Sequence, residues 1–224
     1  MSSIARPSPN QDERGGAAVD MLVLHYTGMG SGEAALKRLC DPAARVSAHY
    51  TIDEDGTVYA MVPEDRRAWH AGISYWSGAT DINARSIGIE LVNPGHEFGY
   101  RAFPDAQITS LIALARDILA RHAIPAWRVL GHSDVAPARK DDPGELFPWV
   151  RLADAGIGLW PAPANDPGEK AVRYLLTRYG YDPETDLDKA ITAFQRHFRP
   201  SRVDGIADVE TRRMLSGLNA LYHS

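Results

Sequence analysis

His25, His132 and Asp142 are three side chains that could bind a single metal ion. His25 ends a short apolar segment, and the other two flank a loop of residues 131–144. Two imidazoles and one carboxylate are typical of catalytic zinc, where three protein ligands leave a fourth position for water. A structural zinc site is closed by four ligands, usually rich in cysteine, and this chain contains one cysteine, Cys40. If the three side chains meet, they favour hydrolysis.

Glu90 is the residue best suited to act beside such a metal. It interrupts an otherwise apolar segment of residues 87–92, and burying a carboxylate is costly unless it is paired or coordinated. One interpretation is a general base beside the metal, because a desolvated glutamate has the proton affinity that this role requires. The alternative is that Glu90 points to solvent from an edge strand.

Lys140 and an aromatic cluster are further candidates. Lys140 lies two residues before Asp142, where a cation could stabilise the oxyanion formed when water adds to an amide carbonyl. A solvated surface lysine is the alternative. Trp69 and His70 lie in a glycine-containing loop of residues 68–72, and His49 heads a predicted hairpin. An aromatic ring beside histidine suits a sugar or peptide groove, and core packing is the alternative for Trp69.

The elements that position these residues follow from hydrophobic periodicity. Helices are predicted over residues 32–39 and 105–122, the second with an apolar face at helical spacing. A tight turn at Gly56 predicts a hairpin. Strands mixed with helices indicate an α/β (α+β) domain with flanking helices around one central sheet. The predicted strands cover residues 21–26, 48–53, 57–62, 86–93 and 127–130.

The chain is predicted to contain two folded parts. A larger domain of mixed strands and helices covers residues 18–160, a proline-rich linker covers 161–168, and a small helical domain covers 169–224. Apolar spacing predicts three helices in that domain, over residues 169–179, 187–198 and 208–222. Residues 1–17 are predicted to be a disordered leader.

Composition excludes several classes of function. The 224 residues are 44% hydrophobic and 24% charged, which is ordinary for a globular protein. A net charge of −5 gives no reason to expect nucleic acid as a partner. No segment approaches the roughly 18 apolar residues needed to span a bilayer. Because no signal peptide is evident, we expect a cytoplasmic protein, with the periplasm or cell envelope as the alternative if the natural chain begins upstream of Met1.

Six stretches of the chain resemble, in order, the zinc-dependent N-acetylmuramoyl-L-alanine amidases, whose fold is shared with phage lysozyme-type amidases and peptidoglycan recognition proteins. Together they span about residues 20–160. They are residues 24–27, 47–50 with 55–59, 68–72, 83–90, 131–137, and 139–144 continuing to 147–149.

The resemblance implies a zinc ion on His25, His132 and Asp142, with Glu90 and Lys140 catalytic. It implies a mixed sheet flanked by helices. It also implies a substrate groove lined by His49, Trp69, His70 and Asn83. Some phage members have tyrosine and cysteine where this chain has Ala48 and Asp142, so the chain is more similar to the bacterial members.

The C-terminal part resembles a peptidoglycan-binding helical module, through residues 193–198, 204–208 and Thr211. An Asp-Gly turn followed by aspartate and threonine also suits helix capping, which needs no ligand. Two interpretations therefore stay open: a wall-binding domain, or a domain that docks on the first and stabilises it.

The resemblance implies hydrolysis of the amide bond between N-acetylmuramic acid, or its 1,6-anhydro form, and L-alanine, in cell-wall recycling. The implied partners are soluble peptidoglycan fragments, the muropeptides. Three alternatives stay open: a muropeptide sensor without turnover, a zinc peptidase acting within the stem peptide, and a wall-lytic amidase acting on intact sacculi. The sequence does not determine the oligomeric state.

Overall fold

The computed structural model describes residues 2–222. The strands are β1 (Ile4–Ala5), β2 (Gln11–Glu13), β3 (Met21–Tyr26), β4 (Tyr50–Ile52), β5 (Val58–Ala60), β6 (Arg66–Ala68), β7 (Ser86–Leu91) and β8 (Val129–Gly131). The helices are α1 (Gly32–Cys40), α2 (Ile82–Arg85), α3 (Gly95–Phe98), α4 (Asp105–Arg121), α5 (His132–Val135), α6 (Trp149–Asp154), α7 (Val172–Tyr179), α8 (Leu187–Phe198) and α9 (Val209–Tyr222). No helix within residues 2–222 is long and apolar enough to cross a membrane.

Within the described residues, one mixed sheet has the strand order β1-β5-β4-β7-β3-β8. β7 pairs in parallel with both β3 and β4, and β3 pairs in parallel with β8. β4 and β5 form the predicted antiparallel hairpin, whose turn uses Gly56 at φ +89°, a conformation that glycine adopts readily. β7 therefore lies inside the sheet, and the alternative that Glu90 lies on an edge strand is wrong.

The central strands are buried on both faces. Along β3, Leu22 and Leu24 pack against α4, while Met21 and Val23 pack against the C-terminal helices. Alternation along the strand puts His25 on the same face as Met21 and Val23. The predicted α/β architecture, with its mixed sheet and flanking helices, is confirmed.

The C-terminal helices α7, α8 and α9 form the predicted bundle and share a hydrophobic core with the sheet. Leu176, Phe194 and Leu215 belong to the same buried cluster as Val23 and Trp76. The predicted linker over residues 161–168 packs against α9, where the Ala164 amide donates to the Arg213 carbonyl at 3.0 Å. The predicted domain boundaries stay predictions, and residues 223–224 of the predicted domain lie outside the described residues.

The prediction of a disordered leader over residues 1–17 is wrong for residues 2–17; residue 1 lies outside the described residues. β1 extends the main sheet by pairing with β5, and β2 pairs with β6. The Arg14 side chain is buried and donates hydrogen bonds to backbone carbonyls of residues 64, 83, 84 and 86. Composition missed this arm because it is held by backbone pairing and by the buried polar side chains of Ser8, Asn10 and Arg14, rather than by apolar side chains.

Candidate metal centre

His25 and Glu90 enter the site from adjacent central strands. They are partners in the parallel register of β3 and β7, so both side chains project from the face that carries the C-terminal bundle. His25 is 1% exposed. The backbone pairing of two central strands therefore sets the separation of these two side chains.

His132, Lys140 and Asp142 enter the site from one loop, residues 131–142. His132 is the first residue of α5, directly after β8. The loop is hydrogen-bonded internally: the Ser133 amide donates to the Asp142 carbonyl at 2.9 Å, and the Lys140 amide donates to the Ala136 carbonyl at 3.1 Å. Three of the predicted functional residues therefore belong to one short loop that is stabilised by its own backbone hydrogen bonds.

The three predicted metal ligands converge. The Nδ1 atoms of His25 and His132 are 2.9 Å apart. Asp142 Oδ2 lies 3.0 Å from Nδ1 of His25 and 3.1 Å from Nδ1 of His132. All three side chains are buried. The structure thus brings together residues separated by more than 100 positions in the chain.

The outer nitrogens of both histidines have partners that determine the tautomers. His132 Nε2 lies 3.1 Å from the Ala71 carbonyl oxygen and donates to it, so Nδ1 carries the lone pair. The Ser86 hydroxyl donates to the Ile82 carbonyl, and its oxygen therefore accepts from His70 Nε2 at 3.1 Å. His70 Nδ1 then accepts from His25 Nε2 at 3.0 Å.

The lone pairs on Nδ1 of His25 and Nδ1 of His132 consequently face the same point as Oδ2 of Asp142. Burial, and next the charge of His132, lower the pKa of His25 to about 4, so this imidazole is neutral at pH 7. Three converging acceptors without a proton between them repel one another unless a cation lies among them, so the donor set fits a metal ion.

Glu90 and Lys140 lie beside this cluster. Glu90 Oε2 is inaccessible to solvent and has no hydrogen-bond partner among the described residues. Burial raises the pKa of Glu90 well above its usual value; the charge of Asp142 adds to the rise and that of Lys140 opposes it. The structure therefore holds a carboxyl with high proton affinity and a lysine of opposing charge next to the converging ligands.

The predicted groove residues His49, His70 and Asn83 are buried behind the site, and their place in a substrate groove stays a prediction. His49 is inaccessible, and its Nδ1 accepts from the Gly88 amide at 2.9 Å. His70 contacts His25 on the side away from the other ligands. Asn83 Oδ1 accepts from the amides of residues 70 and 71, at 3.1 and 2.8 Å. His70 therefore supports the ligand His25, and Asn83 holds the backbone that carries His70.

Trp69, the fourth predicted groove residue, contacts the N-terminal arm. Its indole nitrogen donates to Asp12 Oδ2 at 2.7 Å, and the guanidinium of Arg45 lies 5.7 Å from the ring centroid. The half-buried ring therefore joins β6 to β2. Because the ring is only half-buried, core packing does not describe this position, and the groove interpretation stays a prediction.

Sequence reasoning missed Ser86, Gly88 and Asp134. A Cβ atom on Gly88 would lie 2.4 Å from Cγ of His70, so the ring that supports His25 requires glycine there. A glycine inside an apolar strand signals such a close approach. Asp134 accepts from the Gly131 amide at 2.7 Å, and an aspartate three residues after a helix N-cap signals this contact.

Comparisons with known proteins agree with this geometry. Residues 15–145 match the N-acetylmuramoyl-L-alanine amidase family, and residues 166–215 match a peptidoglycan binding domain family. The N-acetylmuramoyl-L-alanine amidase AmiD of Escherichia coli K12 is 41% identical over 91% of this chain and 83% of its own length. The 1,6-anhydro-N-acetylmuramyl-L-alanine amidase AmpD of the same strain is 37% identical over 65% of this chain and 87% of its own.

Solved structures show the same fold. A complex of Escherichia coli AmiD with anhydro-N-acetylmuramic acid-L-Ala-D-gamma-Glu-L-Lys has a TM-score of 0.82 and 40% identity, over 93% of this chain and 92% of the other. AmpDH3 from Pseudomonas aeruginosa, in complex with anhydromuramic pentapeptide, has a TM-score of 0.84 and 36% identity. The match covers 91% of this chain and 92% of the AmpDH3 chain. The chain belongs to the N-acetylmuramoyl-L-alanine amidase family.

Proposed function

We propose that this protein is a zinc-dependent amidase that cleaves the bond between the lactyl group of 1,6-anhydro-N-acetylmuramic acid and L-alanine in soluble muropeptides. The convergence of three potential ligand atoms beside a half-buried glutamate whose Oε2 is inaccessible and unpartnered carries the proposal. Two relatives with the same fold were solved with anhydromuramyl peptides. These ligands support a soluble anhydro-muropeptide as the substrate in cell-wall recycling.

Zinc is the metal that the donor set favours. At zinc–ligand distances of 2.0–2.1 Å and tetrahedral angles, neighbouring ligand atoms are about 3.3 Å apart, and the separations here are 2.9–3.1 Å. His25, His132 and Asp142 would hold the ion. When bound, zinc lowers the pKa of a water molecule and polarises the substrate carbonyl.

Two residues of the chain carry out the remaining chemistry: Glu90 transfers the proton and Lys140 stabilises the developing charge. Glu90 accepts a proton from the water as the water oxygen bonds to the amide carbon. Lys140 stabilises the negative charge that develops on the carbonyl oxygen. Glu90 returns the proton to the nitrogen of L-alanine as the carbon–nitrogen bond breaks. The products are the free lactyl carboxylate and the stem peptide with a free amino terminus.

Product masses test the proposal. The zinc-loaded protein is incubated separately with soluble anhydro-muropeptide and with intact sacculi, each with a chelator control. We expect intact stem peptide and free anhydro-sugar from the soluble substrate. Cleavage inside the stem would indicate a peptidase, release from sacculi a wall-lytic amidase, and binding without product a sensor; each would contradict the proposal.

Variants of two histidines separate metal binding from general damage. His132→Ala should lose zinc by elemental analysis and lose activity with it. His122→Ala is the matched control, since this histidine contacts Glu64 away from the ligands and the variant should keep its zinc. Retention of zinc by His132→Ala would remove this residue from the ligand set.

We propose the cytoplasm as the location, which a soluble substrate permits. A fusion of the full-length natural protein to a reporter that is active on only one side of the inner membrane tests this. Reporter activity on the outer side would contradict it.

A further inference from the structure

Asp134 is a fully buried carboxylate two residues after the ligand His132. Its side chain has no exposed surface, and it accepts three hydrogen bonds of 2.7 Å each, from the Gly131 amide, the Tyr181 hydroxyl and His197 Nδ1. The first donor belongs to its own loop. The other two belong to the C-terminal bundle, so most of the stabilisation of this charge comes from the second part of the chain.

A second contact joins α8 to the far end of the same loop. Arg196 forms an ion pair of 2.7 Å with Asp141, which stands between Lys140 and Asp142. The neighbouring His197 ring stacks on Trp149 with 3.6 Å between ring centroids, and this stacking sets the direction of its Nδ1 donor. One turn of α8 therefore contacts the loop near both of its ligands.

The loop depends on these contacts more than the rest of the site does. His25 and Glu90 are held by the pairing of central strands. Without the bundle, Asp134 would keep only its local bond to Gly131. A buried carboxylate that loses its partners is strongly destabilising, so the segment would rearrange to reach water. Because Gly131 directly precedes His132, such a shift would move a ligand.

We propose that Tyr181 and His197 are positioning residues of the metal centre, which hold through Asp134 the loop that carries His132, Lys140 and Asp142. The bundle thereby completes the site, in addition to any contact it makes with the cell wall. This inference rests on the proposed function in requiring that the three ligands bind zinc. It differs from that function in assigning part of the metal affinity to the second domain.

Four substitutions in the full-length protein test the inference. His197→Phe keeps a ring for stacking on Trp149 and removes the donor, and Tyr181→Phe removes one hydroxyl. His197→Asn is the rescue variant, because its amide places a donor near the position of Nδ1. Gln195→Ala is the matched control on the same helix.

Gln195 suits this purpose because it is fully buried and binds residues 204, 205, 206 and 211 instead of the loop. Its loss should destabilise the bundle without altering the contacts of Asp134. Comparison with this variant separates positioning of the metal centre from general support of the fold.

Zinc affinity, measured by competition with a chromogenic chelator, is the main readout, with thermal unfolding and steady-state kinetics beside it. We expect His197→Phe and Tyr181→Phe each to weaken zinc binding about tenfold and to lower kcat more than they raise KM. His197→Asn should bind zinc nearly as the wild type does. Gln195→Ala should unfold at a lower temperature and keep wild-type zinc affinity.

Wild-type zinc affinity in both phenylalanine variants would overturn the inference, as would an equal loss in Gln195→Ala. If one phenylalanine variant fails to fold, the other decides. A wild-type protein that binds no zinc would overturn the proposed function and this inference together, whereas zinc binding unaffected by the substitutions would overturn the inference alone.

Discussion

His25 and Glu90 are register partners on the parallel strands β3 and β7. The first ligand and the proposed base therefore project side by side from one face of the sheet, and backbone hydrogen bonds hold them there. Both strands are interior members of the sheet. This part of the site is consequently the least sensitive to loop movement, and substitutions in it should report on chemistry.

Glu90→Gln should abolish most turnover while the metal stays bound. Glutamine has nearly the same shape but cannot accept the proton, and loss of a general base typically costs 10²–10⁴-fold in rate. We therefore expect kcat to fall by at least about 100-fold, with one zinc per chain by elemental analysis. A variant with wild-type turnover would remove Glu90 from the mechanism, and Glu90→Ala should behave in the same way.

Gly88→Ala should weaken metal binding although Gly88 is not a ligand. The added Cβ would lie 2.4 Å from Cγ of His70, so the ring would be displaced from His25. Loss of such an outer partner typically costs 10–100-fold in metal affinity. Chelator competition measures the change. Gly30→Ala is the matched control, because a Cβ there would meet nothing within 4 Å, and equal affinities in the two variants would contradict the prediction.

Glu64→Gln should reveal a pH-dependent part of the stability. Burial alone would raise the pKa of Glu64, but hydrogen bonds lower it to about 2; the donors are Arg121, Tyr50 and His122. Because the folded pKa is depressed, this stabilisation is present above the unfolded pKa near 4.5 and is lost as pH falls toward 2. Because the carboxylate and its partner Arg121 are partly exposed, solvent screening leaves about 1–2 kcal/mol of this at pH 7.

Urea unfolding of the wild type and Glu64→Gln at several pH values tests this. We expect the difference in unfolding free energy to be largest above pH 5 and to shrink as the solution is acidified. Glu54→Gln is the control, since this partly exposed carboxylate pairs with the exposed Arg101 and should cost less than about 1 kcal/mol. A difference for Glu64→Gln that stays constant with pH would contradict the explanation.

Arg14→Ala should destabilise the folded protein, although Arg14 lies in the N-terminal arm. The buried guanidinium donates to four backbone carbonyls, and its loss leaves buried acceptors without partners. We expect a loss of about 3 kcal/mol in denaturant unfolding. Arg38→Ala, at an exposed position of α1, should change stability by less than about 0.5 kcal/mol. A similarly small effect at Arg14 would show that the arm is dispensable.

Local patterns predicted the elements best where periodicity was strong. β3 and α8 have the predicted bounds, and α4 ends one residue before the predicted end. Short elements such as α2, α5 and β6 were not predicted, because three or four residues carry too little periodicity. The arm was misjudged for a related reason: the strand that pairs with β1 is remote in sequence, and composition does not report pairing.

The sequence by itself determined which side chains could do the chemistry. Metal ligation and proton transfer depend on residue type, so two histidines, an aspartate and a glutamate inside an apolar segment indicated hydrolysis before any coordinates. Only the tertiary structure decided the support around them: His49, His70 and Asn83 lie behind the ligands, and Asp134 is bound by the C-terminal bundle. Such contacts join residues far apart in the chain, and their geometry arises only when the sheet and the bundle pack together.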